Sequence, residues 1–311
     1  MRGLSTEFMT ALKEGGILFP ILKAVQTDKD FIMEIREDCI HIYYKGGRIL
    51  ELEHQGNEYM ASFDIEYAKN NPKRMEVEEC LKANKITALD EAEKWADNIR
   101  FFKGIMDYHS GTSVKETLEK NVQQLIVQEN NLSRISNDSD YFIIDFEYQC
   151  ADMDDSPRFD LVGLFWDRKK RNKPRDCRIA LIEVKYGDDS LQGEHGLTGH
   201  LIKAEKFLND KKRVKDFKEE MVTIFSQKRK LGILNIENPH EVPIEAIDNT
   251  IEFLCITAGH NPGSSKLKDE LDRMKPEIKK TDVKFATSSF AGYALFKENI
   301  KSFEEFMELL Q

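Results

Sequence analysis

Two acids and a lysine stand at positions where buried strands normally carry apolar side chains. Asp160 lies near the start of an apolar run at residues 159–166. Glu183 and Lys185 lie at the end of a second apolar run at residues 179–186. Carboxylates are the hard oxygen ligands that Mg²⁺ prefers, and a lysine beside a bound cation can orient a water molecule for attack. These residue types therefore suit metal-assisted hydrolysis if the fold brings them together.

Both apolar runs have the length and the β-branched or aromatic content of strands. Side chains alternate between the two faces of a strand, so Glu183 and Lys185 share a face. A strand that is apolar on both faces is typical of the centre of a covered sheet. An uncompensated charge there costs several kcal/mol, roughly. Two interpretations follow, a metal site and a structural ion pair between Glu183 and Lys185.

The arrangement of Pro157 and Asp160, followed on the next strand by Glu183-x-Lys185, resembles the PD-(D/E)XK nuclease superfamily. The usual Pro-Asp spacing is loosened here to Pro-Arg-Phe-Asp. The resemblance implies a Mg²⁺ site, in which Mn²⁺ would substitute, made by Asp160, Glu183 and the carbonyl of Val184. It implies that Lys185 acts in catalysis together with the two acids.

The resemblance covers roughly residues 113–260, where we expect a helix, three strands, a helix and a strand. That order is the αβββαβ core of the superfamily, so the expected fold is α/β and restriction-endonuclease-like, with a central mixed sheet. On the first core strand, Asp145 and Glu147 share a face, which could lie near the site or face water, and water is the favoured interpretation.

The helix ahead of the core sheet often supplies one more acid in this superfamily. The pattern Ser113-Val-Lys-Glu116 predicts a capping box at the start of that helix. Because Glu116 then has a capping role, Glu119 is the candidate for the additional metal ligand. The alternative for Glu119 is a solvated helix glutamate.

The connection between the two strands that carry the acids is strongly basic, although the net charge of the chain is −10. It could bind a nucleic-acid backbone in a salt-dependent way, or it could be a solvated hairpin tip. The residues expected to contact substrate there are Arg168, Lys169, Lys170 and Arg171.

Two further basic residues lie near the start of a helix predicted at residues 197–208. From this place, members of the superfamily often contact the scissile phosphate or the attacking water. His200 and Lys203 are therefore candidate substrate-binding residues, with a solvated helix face as the alternative for each.

The 311 residues suffice for two domains, and we expect an accessory region at 1–110 and the nuclease-like domain at 111–311. In the accessory region we expect four strands, with a tight turn at Gly46–Gly47. His41 and His54 are interpreted as ordinary sheet residues. The five scattered cysteines and the lack of a signal-peptide pattern predict a cytoplasmic protein that does not bind membranes.

Together these patterns predict a Mg²⁺-dependent nuclease of prokaryotic type that acts on nucleic acid, with DNA favoured over RNA. Restriction, repair or defence would suit such an enzyme, and a homodimer is possible for it. One alternative is a nuclease-like module that binds nucleic acid or protein without cleaving. Another is an unrelated α/β protein with an internal ion pair.

Overall fold

The computed structural model describes residues 2–112, 117–149, 157–261, 264–288 and 295–310. The chain forms two compact units, each described here by itself. The first unit comprises residues Met1–Gln124 and Thr223–Leu234, and the second comprises residues Leu125–Val222 and Asn235–Gln311.

This division differs from the boundary expected at 110/111. One reason is that the Gln124 side chain accepts a hydrogen bond from Gly46 N at 3.0 Å. This contact joins the start of the helix Thr117–Asn131 to the first unit. Another is a buried ion pair within the first unit, where Lys228 Nζ lies 2.7 Å from Glu34 Oε2. The expected capping box at 113–116 lies outside the described residues.

An antiparallel sheet with strands in chain order forms the centre of the first unit. Its strands are β1 (Ile32–Ile35), β2 (Cys39–Tyr44), β3 (Gly47–Gln55), β4 (Glu58–Ser62) and β5 (Lys85–Ile86). The four strands expected from the period-two pattern are confirmed. The turn between β2 and β3 is centred on Lys45 and Gly46, one residue earlier than expected, and both have positive φ (49° and 72°). Such angles give the turn the twist that a two-residue hairpin requires.

In the described part of the chain, five helices that begin before residue 124 accompany this sheet, together with the end of a later helix. They are α1 (Thr6–Leu12), α2 (Phe19–Thr27), α3 (Arg74–Lys82), α4 (Leu89–Thr112) and α5 (Thr117–Asn131). The apolar stripe of α4 is buried, as its spacing predicts, and Phe102 stacks on Phe63 with ring centroids 4.2 Å apart. This stripe is core.

A mixed sheet of six strands forms the centre of the second unit, in the order β11-β10-β9-β8-β7-β6. Its strands are β6 (Tyr141–Gln149), β7 (Arg158–Phe165), β8 (Arg178–Tyr186), β9 (Glu252–Ala258), β10 (Asp282–Thr287) and β11 (Lys301–Ser302). β6, β7 and β8 form an antiparallel meander, while β9 lies parallel to β8 and β10 lies parallel to β9. β8 and β9 are therefore central strands, and all but the ends of β8 are buried.

Among the described residues after β8, two helices follow β8, one follows β9 and one follows β11. They are α6 (Leu197–Phe207), α7 (Lys211–Lys230), α8 (Ser265–Met274) and α9 (Phe303–Leu309). α7 contributes residues to both units. Within the described ranges, every helix is too short or too polar to span a lipid bilayer. The chain as a whole is mixed α/β, as expected.

Candidate active site

Two antiparallel strands bring Asp160 and Glu183 to the same end of the mixed sheet. Leu161 pairs with Ile182 in the β7–β8 ladder, so the next position sets Asp160 across from Glu183. Directly opposed residues share a face. At this point β8 donates a hydrogen bond to a side chain of β7, because Val184 N lies 2.8 Å from Asp160 Oδ2. The Asp160 carboxylate therefore lies against Val184, the residue between Glu183 and Lys185.

The Glu183 carboxylate lies between a lysine and a histidine. Lys185 Nζ is 2.7 Å from Glu183 Oε1, and His200 Nδ1 is 3.1 Å from Glu183 Oε2. Lys185 reaches the carboxylate from the same face of β8, whereas His200 reaches it from α6. The side chains of Glu183, Lys185 and His200 are 0%, 6% and 14% exposed. The buried negative charge is thus balanced by one ammonium group, as burial of a carboxylate requires.

His200 is neutral at pH 7. Burial, and then the positive charges of Lys185, Lys203 and His195, lower the pKa of His200 from 6.5 to about 3. A neutral imidazole can donate one N–H group without adding positive charge. His200 can therefore orient Glu183 and still leave its charge to a cation. His200 thus lies near the candidate reacting groups, and its ring also has a hydrogen bond with the main chain of Arg158.

The basic connection lies at the opposite end of the strands from the acids. Phe165 pairs with Arg178 at that end of the β7–β8 ladder. Arg178 and Glu183 are five residues apart on β8, which at the rise of a strand is about 16 Å. The connection therefore does not adjoin the acids, and its binding of a nucleic-acid backbone stays a prediction. The residues concerned are Arg168, Lys169, Lys170 and Arg171.

Arg171 is a structural residue. It is 5% exposed, and its guanidinium donates hydrogen bonds to the main-chain oxygens of Asn137, Ser139 and Trp166. It also lies over the Phe142 ring, with Cζ 4.6 Å from the ring centroid. Because its donors are committed inside the fold, the expected contact of Arg171 with substrate is wrong. Sequence alone gives no sign of this, since Arg171 stands in a uniformly basic run.

The three neighbours of Arg171 differ among themselves in exposure. Arg168 is half-buried, and its guanidinium donates to Asp138 O at 3.0 Å. Lys169 and Lys170 are exposed, and Lys170 Nζ lies 3.5 Å from Asp176 Oδ2. Only the two lysines thus present their charges to solvent, as a hairpin tip would.

Asp145 is a third acid on the face that carries the site. A bulge between Ile143 and Asp145 shifts the β6–β7 register and sets Asp145 opposite Val162. Val162 is two residues from Asp160, so the side chains of Asp145 and Asp160 share a face. Asp145 is 0% exposed, and the expectation that it faces water is wrong. The strand pattern could not reveal this, because the bulge changes which face each later residue occupies.

Lys203 and Glu119 were the other candidates. Lys203 lies on α6, one turn after His200, and its positive charge acts on that histidine. This places it near the site, as expected. Glu119 lies on α5 in the first unit and is half-buried. Its contribution to a metal site stays a prediction.

The donor set at the end of β7 and β8 fits a hard divalent cation. Asp160 and Glu183 supply carboxylate oxygens, and Val184 supplies a main-chain carbonyl between Glu183 and Lys185. Asp160 is the more exposed of the two acids, so a cation from solvent meets it first. At Glu183 that cation would take the place of the Lys185 ammonium, which lies 2.7 Å from Glu183 Oε1.

A second group of possible metal ligands lies in the first unit. The ligand atoms of Cys39, His41 and Glu51 are within 4.8 Å of one another. Arg48 Nη1 already lies 3.0 Å from Glu51 Oε1 and 3.3 Å from His41 Nε2. Burial, followed by the charges of Glu51 and Glu53, raises the pKa of the Cys39 thiol to about 12. Because a metal needs the thiolate, an arginine-centred polar cluster explains this group better than a metal site.

No protein-family model matches the chain, and it has no match among curated proteins or solved structures.

Proposed function

We propose that the chain is a metal-dependent nuclease that hydrolyses phosphodiester bonds of nucleic acid, with DNA favoured over RNA. The proposal includes a restriction-endonuclease-like core in the second unit. The observation that carries it is the hydrogen bond from Val184 N to Asp160 Oδ2, which sets the Asp160 carboxylate beside Glu183 and its ion pair with Lys185.

Asp160, Glu183 and the carbonyl of Val184 would hold Mg²⁺, with Mn²⁺ as a substitute. Such a cation lowers the pKa of a bound water and neutralises charge on the phosphate. Asp145 adds negative charge on the same face and favours a cation there. The positive charge of Lys185, which lies beside Glu183, raises the local affinity for a phosphate.

Lys185 would orient the attacking water and donate a proton or a hydrogen bond at the phosphate. His200 would hold the Glu183 carboxylate in place through Nδ1, because it is neutral and 3.1 Å from Oε2. Lys203, one turn further along α6, would contact the phosphate backbone. These roles require Asp160, Lys185 and His200 to lie around Glu183. A purely structural ion pair would require only Lys185.

The decisive experiment compares two lysines that each lie near an acid two residues earlier on the same strand. Lys284 on β10 lies 3.2 Å from Asp282 Oδ1, two residues earlier on the strand, as Lys185 lies near Glu183. Lys284 lies two strands away from Glu183 and on the opposite face of the sheet, since it pairs with Leu254, which pairs with Ile182 on β8. We expect Lys185→Met to reduce cleavage of DNA by about a hundredfold or more, and Lys284→Met to leave it unchanged.

The assay uses linear and circular DNA and RNA with Mg²⁺, Mn²⁺ or EDTA, and Mn²⁺ binding is measured by calorimetry on the same proteins. Cleavage that requires the metal and Lys185 supports the proposal. Binding of nucleic acid without cleavage under every condition would favour the inactive module instead. Equal activity of wild type and Lys185→Met would refute the role of the lysine.

A further inference from the structure

Thr257 carries a buried hydroxyl that has no hydrogen-bond partner among the described residues. It lies on β9 and is 0% exposed, and its Oγ1 neither donates nor accepts a hydrogen bond within that part of the chain. Leaving a buried polar group unsatisfied is costly, and native proteins do so rarely. We therefore expect this hydroxyl to serve a polar group close to it.

Thr257 is the ladder neighbour of Lys185. In the parallel β8–β9 ladder, Lys185 pairs with Thr257 and Glu183 pairs with Cys255. Paired residues of adjacent strands share a face. The thiol of Cys255 supports this placement: burial and then the charge of Glu183 raise its pKa, and the charge of Lys185 acts in the opposite direction. The Thr257 hydroxyl is thus beside Lys185, on the face that carries the acids.

Lys185 and a divalent cation compete for the same carboxylate. The ammonium lies 2.7 Å from Glu183 Oε1, and the proposed cation would be bound by Glu183 as well. Two positive charges at one oxygen repel each other. The ammonium must therefore move when a cation binds, and it is 6% exposed, so a protein acceptor is needed nearby.

We propose that Thr257 is a positioning residue for Lys185: its hydroxyl accepts a hydrogen bond from the ammonium when a divalent cation occupies Glu183. This inference rests on the proposed metal site. In its second position Lys185 stays beside the acids, where it can orient the attacking water. The hydroxyl of Thr257 thus makes displacement of the lysine less costly and raises the affinity for the cation.

The test is a double-mutant cycle on the full chain, with Mn²⁺ affinity measured by calorimetry. We expect Thr257→Val, which removes the hydroxyl but keeps the shape, to weaken Mn²⁺ binding about tenfold. Thr257→Ser should restore it. In the Lys185→Met background, Thr257→Val should have no effect, because the ammonium that needs an acceptor is gone.

Thr287→Val is the matched control, because Thr287 is the ladder partner of Thr257 on β10. It should bind Mn²⁺ like wild type. If wild type binds Mn²⁺ and cleaves DNA but Thr257→Val binds Mn²⁺ equally well, this inference fails and the proposed function stands. A loss that persists in the Lys185→Met background would also overturn it, since Thr257 would then act without the lysine. If wild type binds no Mn²⁺, both the metal site and this inference fail.

Discussion

At the scale of single residues, the chemistry is concentrated around Glu183. An ammonium lies near one carboxylate oxygen and a neutral imidazole near the other. The difference between the two groups matters, because only Lys185 brings a positive charge that a metal must displace. His200 instead lies 3.1 Å from the carboxylate without a charge, because burial lowers its pKa to about 3.

The depressed pKa of His200 predicts a pH dependence of stability. The pKa is about 3 in the folded chain and 6.5 in its ordinary range, so the unfolded state binds the proton more readily between these values. Stability is therefore lost as pH falls below 6.5. His200→Gln should remove this contribution, which amounts to at most about 2 kcal/mol between pH 6.5 and about pH 5.

The measurement is urea unfolding of wild type and His200→Gln at about pH 7.5 and about pH 5. His240→Gln serves as the control, because His240 is an exposed histidine. Wild type should lose more stability on acidification than His200→Gln does, whereas His240→Gln should follow wild type. Parallel losses in wild type and His200→Gln would contradict the prediction.

At the scale of elements, α6 connects the site to the rest of the mixed sheet. Its start supplies His200, and its last turns supply Glu205, which is 6% exposed. The Glu205 carboxylate accepts from the main-chain N–H groups of Lys279, Lys280 and Thr281 at 2.9–3.0 Å and from the Thr281 hydroxyl at 2.8 Å. α6 therefore holds the segment that leads into β10 at its C-terminal end while it positions His200 at its N-terminal end.

Removing the charge of Glu205 should destabilise this connection. Burial raises the pKa of Glu205, but the N–H groups of Lys280, Lys279 and Thr281 outweigh it, so the pKa is lowered. A lowered carboxyl pKa contributes stability above the ordinary pKa, and this is lost as pH falls through the folded value. Glu205→Gln should cost about 2–4 kcal/mol at neutral pH, because an amide N–H₂ would face N–H donors.

Urea unfolding at neutral pH measures this cost. Glu219→Gln is the control, since Glu219 is 39% exposed and pairs with Lys215 on the surface of α7. Surface pairs of this kind contribute about 0.5 kcal/mol or less. A loss for Glu205→Gln no larger than that of Glu219→Gln would show that the N–H contacts do not stabilise the fold.

At the scale of the whole molecule, the net charge of −10 leaves nucleic-acid binding to local groups. Two such groups lie at opposite ends of the mixed sheet. Lys203 is near the acids, whereas Lys169 and Lys170 lie beyond Arg178, which is itself about 16 Å from Glu183 along β8. A small substrate can contact only the first group, whereas a long DNA can contact both.

Charge reversal should separate the two groups. Lys203→Glu should reduce cleavage of both a dinucleotide and long DNA. Lys169→Glu with Lys170→Glu should leave the dinucleotide unaffected, and on long DNA it should at most weaken binding and flatten its salt dependence. Steady-state cleavage rates across a series of salt concentrations measure both effects. Equal losses on the dinucleotide from the two reversals would show that the basic connection reaches the site.

Much of the architecture was predictable from local patterns. Alternation of apolar side chains predicts the first four strands of the antiparallel sheet, because a half-buried strand repeats every two residues, and apolar runs predict the central strands of the mixed sheet. The position of the basic connection also follows from chain order, since a hairpin between β7 and β8 must lie opposite the start of β7. The site residues Asp160, Glu183 and Lys185 were predictable because charges at the ends of apolar strands are unusual.

The sequence by itself determined the strands, the charged residues at their ends and the chemistry those residues can support. Only the tertiary structure decided which groups surround Glu183 and Lys185, because the approach of α6 sets His200 beside Glu183 and the register of β8 and β9 sets Thr257 beside Lys185. It also decided the burial of Asp145 and Arg171, through a bulge in one case and three main-chain acceptors in the other. Local patterns record how residues alternate along a strand, whereas pairing partners and burial depend on contacts between distant parts of the chain.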